Sequence, residues 1–192
     1  MSLSEFHANY AEELHAALTS VDVKNLNLAA SYLVSAISDE RNIFVCGNGG
    51  SAAIADHWAV DFMKWIRTNS PLRPRITSLT SNVPVLSAIS NDISYEDVFA
   101  YQLESLAYEN DILITVSSSG NSPNIKKAIN AAKEMSMITI ALCGFDGGAS
   151  LEALVPLYVP FYNYGIVEDS HQAIMHILTQ YITQAGVHSG SW

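Results

Sequence analysis

The sequence predicts an α/β fold: a doubly wound, five-stranded parallel sheet sandwiched by helices, with two N-terminal helices suited to oligomerisation. Three observations predict it. Five short apolar runs, at 42–46, 75–79, 111–116, 137–143 and 157–160, lack strict alternation, as strands covered on both faces do. Helical stretches separate them, which is the pattern of βα units feeding a parallel sheet. Two of the runs end in glycine- or serine-rich turns that open a helix, the end of such sheets where ligands bind.

Taken in order, the chain begins with helices over 3–20 and 23–38, broken at Ser20-Val21-Asp22, with Asp22 as the N-cap of the second. The run NIFVC makes the first strand, and a helix over 51–67 follows its glycine turn. RITSL is the second strand, followed by a short helix over 83–90 and another over 96–107. DILITV leads into a serine turn and a helix over 123–135, with Pro123 at the favoured first position. MITIALC is the fourth strand, a weaker helix covers 150–155, and LYVP is the fifth strand. A helix over 168–185 closes the fold, and the tail GVHSGSW reads as frayed. The 192 residues thus form one unit: a helical oligomerisation segment at 1–40, an α/β core at 41–186 and a tail at 187–192.

Composition narrows the function. Hydrophobic residues make up 49% of the chain and charged residues 15%, which is globular and implies that some surface is covered in an oligomer. The net charge of −10, without a Lys/Arg cluster, argues against direct nucleic-acid binding. An anion must therefore be held by backbone amides and hydroxyls. Cys46 and Cys143 sit in apolar runs and read as buried free thiols. The start lacks the basic and apolar regions of a signal peptide, and no run is long enough to span a membrane, so the expected location is cytoplasmic.

Gly47-Asn48-Gly49-Gly50-Ser51 ends the first strand. It lacks the Lys-Ser/Thr of a P-loop and does not match G-x-G-x-x-G, so no nucleotide cofactor is indicated. Ser117-Ser118-Ser119-Gly120-Asn121-Ser122 ends the third strand. Its hydroxyls and free amides converge on a helix N-terminus and suit one phosphate group. A capping loop is the plainer reading of either turn alone; two after parallel strands favour the phosphate.

At about 100° per residue His57, Asp61 and Lys64 share one arc of the third helix, beside an apolar arc of Ala55, Trp58, Phe62 and Trp65. His57 and Asp61 read either as a surface pair or as groups reaching the far end of a sugar-sized ligand. In the last helix, Ile174, Met175, Ile177, Leu178, Tyr181 and Ile182 spread over roughly 160° with His171 in their midst. His171 is therefore expected to be packed and satisfied. Glu168, Gln172 and His176 lie on the opposite arc; Glu168 and His176 are candidates for chemistry, or else members of a solvated face.

GNGGS, S-x-S-G-N-S, the Asn91-Asp92 pair, the G-x-D-G-G turn at 144–148 and H-x4-H in the last helix together resemble the SIS (sugar isomerase) domain. More narrowly, the chain resembles the phosphoheptose isomerase family, which converts sedoheptulose 7-phosphate to a heptose 7-phosphate. The resemblance implies a homotetramer built by the N-terminal helices. It places the sugar phosphate against Asn48, Gly49, Gly50, Ser51, Asn91, Asp92, Ser117, Ser118, Ser119, Ser122 and Glu168. Asp61 stands where the family has its glutamate base, and His176 where it has its histidine acid. Some members bind zinc, and the matching positions are His57, Asp61, Glu168 and His176.

The departures are equally legible. Aspartate replaces glutamate at 61, glutamate replaces glutamine at 168, Trp65 stands for a family arginine and Gly165 for a family aspartate. The implied chemistry moves a proton between adjacent carbons through an enediol, which needs a base and an acid but no redox cofactor. Two histidines and two carboxylates also suit a Lewis-acidic divalent ion such as zinc. Two non-enzymatic readings accompany this one. Some relatives keep the tetrameric fold, lack the catalytic residues and bind the replication initiator protein; others are phosphosugar-binding regulatory modules.

Overall fold

The computed structural model describes residues 1–188. Five parallel strands run in the order β2-β1-β3-β4-β5: β1 Asn42–Gly47, β2 Arg75–Ser78, β3 Ile112–Ser117, β4 Ile138–Cys143 and β5 Val155–Tyr158. Strand β1 pairs with β2 on one side and with β3 on the other, Val45 opposite both Ser78 and Ile114. The direction of winding therefore reverses between β1 and β3, the switch point where open α/β sheets bind ligands.

Alternation along the strands divides the core between two faces. Ile43, Val45, Ile112, Ile114 and Val116 face α1 (Leu3–Thr19), α2 (Val23–Ser38), α3 (Gly50–Val60) and the last helix, α8. Phe44, Cys46 and Leu113 face the opposite layer, α5 (Val83–Asp92), α6 (Ala100–Leu106) and α7 (Pro123–Glu134). Helix α8 spans Tyr164–His188. The expected cap of α2 forms, Lys24 N donating to Asp22 Oδ1 at 2.8 Å, and Ser2 and Glu5 make a capping box that starts α1. Helix α2 packs Leu33 and Ile37 into the core, so it is part of the sheet's cover. Both cysteines are buried free thiols, as expected.

Four regions differ from the sequence expectation. Strand β5 lies at Val155–Tyr158 rather than 157–160, and the weak helix at 150–155 shrinks to a 3-10 turn, Gly148–Glu152. Pro156 is tolerated inside β5 because this is an edge strand, where a missing N–H breaks no central ladder. The helix at 96–107 is split into a 3-10 turn, Tyr95–Asp97, and α6. Helix α8 starts four residues early, where Asn163 Oδ1 accepts from Gly165 N at 3.0 Å, and runs through His188, past the expected start of the tail. The remainder of that tail, 189–192, lies outside the described residues.

The fourth difference matters most for the site. After α3 the helix widens into one π turn, Asp61–Ile66, before closing with α4, Arg67–Asn69. Wider pitch carries Ile66 rather than Trp65 back to the core: Phe62 and Ile66 are buried, and Trp65 is 44% exposed. Among the described residues no helix is long and apolar enough to cross a membrane.

Candidate active site

The two polar turns meet at the carboxyl ends of β1 and β3. Gly120 makes the serine turn possible: its φ is +66°, and a Cβ there would lie 1.9 Å from the Gly147 carbonyl oxygen. Only glycine fits such a close approach. Gly120 N donates to Ser117 O at 3.1 Å, and Ser150 N donates to Gly120 O at 3.1 Å, so the turn is anchored from below. Between the turns lies a cavity of about 160 Å³, walled by Asn48, Ser51, Ser117, Ser118, Ser119 and Ser122. Tyr164 and Glu168, from the start of α8, close its outer side. None of its lining residues is a cation, so hydroxyls and helix-terminal amides must carry the attraction for an anion. Gly49 and Gly50 form the turn that starts α3, and Glu168 approaches the backbone of Gly50. The expected pair Asn91 and Asp92 does not line this cavity: Asn91 Nδ2 donates to Asp92 Oδ1 at 2.7 Å. Both sit in the last turn of α5, on the exposed side.

The acid–base candidates gather on α3 and α8, around a second cavity of about 230 Å³ lined by Asp61, Trp65 and His176. His57 Nε2 stands 3.6 Å from Asp61 Oδ1, and His176 Nε2 stands 3.6 Å from Asp61 Oδ2. The imidazole rings meet edge to face with centroids 5.1 Å apart. Gln172 bridges them, its Nε2 at 3.0 Å from His57 Nδ1 and 3.3 Å from His176 Nε2. Lys64, expected on the same arc, is exposed in the π turn.

One nitrogen of each histidine and one Asp61 oxygen lie within 4.8 Å of one another. Two ligands held about 2.1 Å from one tetrahedral zinc stand about 3.4 Å apart, close to the two 3.6 Å separations seen here. The donor set therefore fits a divalent ion of that kind. Glu168 does not join it, against expectation. It stands two turns of α8 before His176, and its Oε1 is reached by Ser118 Oγ at 3.5 Å. Eight residues of helix advance about 12 Å, so Glu168, Gln172 and His176 form a polar stripe from the hydroxyl-lined cavity to the histidines.

Two further residues depart from or add to the sequence reading. His171 is fully buried, as expected, but neither ring nitrogen makes a hydrogen bond of ordinary geometry. Burial pushes its pKa down to about 4, against a smaller opposing effect of the Cys143 main chain. Asp56 was not singled out by any motif. Ser78, Thr80 and Ser81 donate to its Oδ1 at 2.6, 2.7 and 2.6 Å, fastening α3 to the end of β2 one residue before His57. Partial burial would raise its pKa, but these hydrogen bonds outweigh it and hold the carboxyl below its usual range. Three larger cavities lie apart from the site: about 260 Å³ beside Ile112 and Ile138, about 780 Å³ beside Arg67, Arg73 and Arg75, and about 490 Å³ between α2 and α8 beside Val34 and Tyr181.

The SIS domain family model matches residues 6–144. A phosphoheptose isomerase from Trichlorobacter lovleyi is 37% identical over 165 residues, covering 84% of this chain and 83% of its own. The chain belongs to the SIS-domain phosphoheptose isomerase family. A second phosphoheptose isomerase, from Helicobacter pylori, is 36% identical over 165 residues and 85% of each chain. The structure of the phosphoheptose isomerase from Neisseria gonorrhoeae superposes with a TM-score of 0.86 at 31% identity, over 95% of this chain and all of that one. The five-stranded parallel sheet and its flanking helices are therefore those of the phosphoheptose isomerase family.

Proposed function

We propose that this chain is an aldose–ketose isomerase of a sugar phosphate, sedoheptulose 7-phosphate in the first instance. The single observation that carries the reading is the polar stripe of α8, which joins a cation-free hydroxyl cavity to a carboxylate flanked by two imidazoles. The phosphate is held by Ser51, Ser117, Ser118, Ser119 and Ser122 and by the amides of the two turns. The sugar then extends along α8 towards Asp61 and His176.

Asp61 takes a proton from the carbon beside the ketone, leaving an enediolate, and returns it to the neighbouring carbon. His176 supplies and removes the proton on the oxygens, so that the carbonyl moves by one carbon with no net oxidation. Asp61 is one methylene shorter than a glutamate and depends on the sugar being drawn close to α3. Gln172 holds the two imidazoles at a fixed spacing. A divalent ion held by His57, Asp61 and His176, when bound, would polarise the carbonyl as a Lewis acid. We also propose a homotetramer. Leu3, Phe6, Val60, Met63, Ile177 and Tyr181 are exposed apolar residues on α1, α3, the π turn and α8 that a partner would cover.

The test is incubation with five-, six- and seven-carbon ketose phosphates in deuterated water, followed by NMR. Isomerisation through an enediol gives an aldose phosphate carrying solvent deuterium at its second carbon. Binding of these sugars without any conversion would make the protein a binding module instead. Light scattering checks the assembly, and a monomer at micromolar concentration would refute the tetramer.

A further inference from the structure

Asn48 lines the phosphate cavity, yet its side chain is held from two other directions. Its Nδ2 donates to Asn124 Oδ1 at 2.8 Å, and Asn124 Nδ2 donates back to Asn48 Oδ1 at 2.9 Å. The Tyr95 hydroxyl donates to the same Oδ1 at 2.9 Å. Asn48 belongs to the glycine turn after β1. Asn124 is buried in the first turn of α7, directly after the serine turn. The reciprocal amide pair thus staples together the two turns that make the cavity.

Tyr95 comes from a third segment, the 3-10 turn Tyr95–Asp97, which is tied to the same helix by a separate route. Lys127 Nζ, one turn beyond Asn124, contacts Asp97 Oδ1 at 2.9 Å and Oδ2 at 3.1 Å. Ser94 Oγ donates to Asp97 Oδ2 at 2.7 Å and starts that turn. The phenol therefore arrives at Asn48 on a braced support.

A primary amide can accept two hydrogen bonds at its oxygen and donate two from its nitrogen. Asn48 Oδ1 has both of its places filled, by Asn124 and by Tyr95, while one N–H of Nδ2 stays uncommitted. Held this way, Asn48 offers the cavity a donor and no acceptor. Phosphate oxygens need donors, whereas an amide oxygen turned towards them would repel. We propose that Asn124 and Tyr95 are positioning residues that fix the Asn48 amide as a donor-only contact of the sugar-phosphate site. The proposal rests on reading this cavity as the phosphate site, and neither residue is expected to touch the reacting carbons.

The experiment compares Tyr95→Phe and Asn124→Asp with the wild-type chain. Tyr95 is largely exposed, so its loss leaves the fold in place. Asn124→Asp keeps the shape but cannot donate back to Asn48. The affinity for inorganic phosphate is measured by calorimetry, and KM and kcat with sedoheptulose 7-phosphate. Tyr95→Phe should weaken phosphate binding and raise KM by about three- to tenfold, with kcat changed by no more than about twofold. Asn124→Asp should weaken phosphate binding by more than about tenfold.

A network that only holds the loops together would lower the melting temperature of both variants and leave phosphate affinity as it was. That result overturns the proposal, as does a fall in kcat with KM unmoved, or a wild-type chain that binds no phosphate. Wild-type protein that binds phosphate but converts no ketose phosphate would defeat the isomerase reading. The two phosphate affinities would then decide the proposal by themselves.

Discussion

The Tyr10 hydroxyl donates to Asp169 Oδ2 at 2.7 Å, joining the first helix of the chain to the last. The hydrogen bond to that carboxylate, with burial and the neighbouring charge, pushes the phenol pKa up to about 12. One turn earlier in α8, a Cβ at Gly165 would lie 2.8 Å from the same hydroxyl oxygen. Tyr10→Phe should therefore cost about 1 kcal/mol, which lowers Tm by about 2–4 °C in a domain of this size. Gly165→Asp should cost more in the wild-type chain than in the Tyr10→Ala background, where the space is free. Calorimetry measures all five chains, and equal penalties in the two backgrounds would show that residues 10 and 165 do not compete.

The two buried-side and polar-side histidines of α8 should separate cleanly. His176→Asn and Asp61→Asn should each lower turnover by about two to four orders of magnitude while phosphate binding and Tm stay near wild type. His171→Asn should do the reverse, lowering Tm while folded molecules keep most of their turnover. Full activity in His176→Asn would rule out the proton transfers assigned to it.

His171 also predicts how stability depends on pH. Its folded pKa, about 4, lies below the unfolded value, so the unfolded chain binds the extra proton first. Stability should be unaffected by this group above about pH 6.5 and should fall as pH drops from there towards about 4. His171→Phe removes the titration, whatever it does to the absolute stability. Urea midpoints measured at several values in that range should therefore decline less steeply for the variant, and parallel curves would contradict the assignment.

Ligand-induced stabilisation tests the hydroxyl cavity. Sedoheptulose 7-phosphate should raise Tm, and the unphosphorylated sugar should not, because the grip is on the phosphate. Ser119→Ala combined with Ser122→Ala should remove most of the shift. Comparable stabilisation by the free sugar would place the binding energy elsewhere.

Metal binding can be read without activity. Zinc titrated calorimetrically into the metal-free chain should bind, and His57→Ala or His176→Ala should weaken it at least tenfold by removing one of few ligands. Glu168→Gln should change the affinity by less than about threefold, since Glu168 faces Ser118 rather than the histidines. A large loss in Glu168→Gln would return it to the ligand set.

The sheet was legible because its strands are continuous apolar runs bounded by glycine and serine turns, and all five were expected. The edge strand slipped by two residues because Pro156 inside a run argues against a strand until its position at the sheet edge is known. Helical periodicity left His57, Asp61 and His176 as candidates beside a plain surface reading, and it was the family resemblance that singled them out; the structure brings their ring nitrogens and carboxylate together. Gln172 carried the same signal, the polar arc of α8, but an amide does not advertise chemistry as an imidazole does. Asp56, Asn124 and Tyr95 left no such trace. Their partners are distant in sequence, and only the packed fold pairs Asp56 with Ser78 or Asn48 with Asn124.

The π turn at Asp61–Ile66 has a consequence for how this helix can vary. Such a turn holds one residue more than a regular helix would, so it acts as a phase joint. Upstream of it, His57 keeps a fixed angular relation to the glycine turn that starts α3. Inside it, Trp65 is indexed separately, and its orientation is set by how the joint closes. Removing one residue between 62 and 66 would let the turn close as ordinary α-helix, shifting the residues inside it while Arg67 and the chain beyond keep their phase, and would leave His57 and Asp61 where they are. The rim of the histidine cavity can therefore be remodelled by a single-residue change in length, independently of the groups that would move the proton.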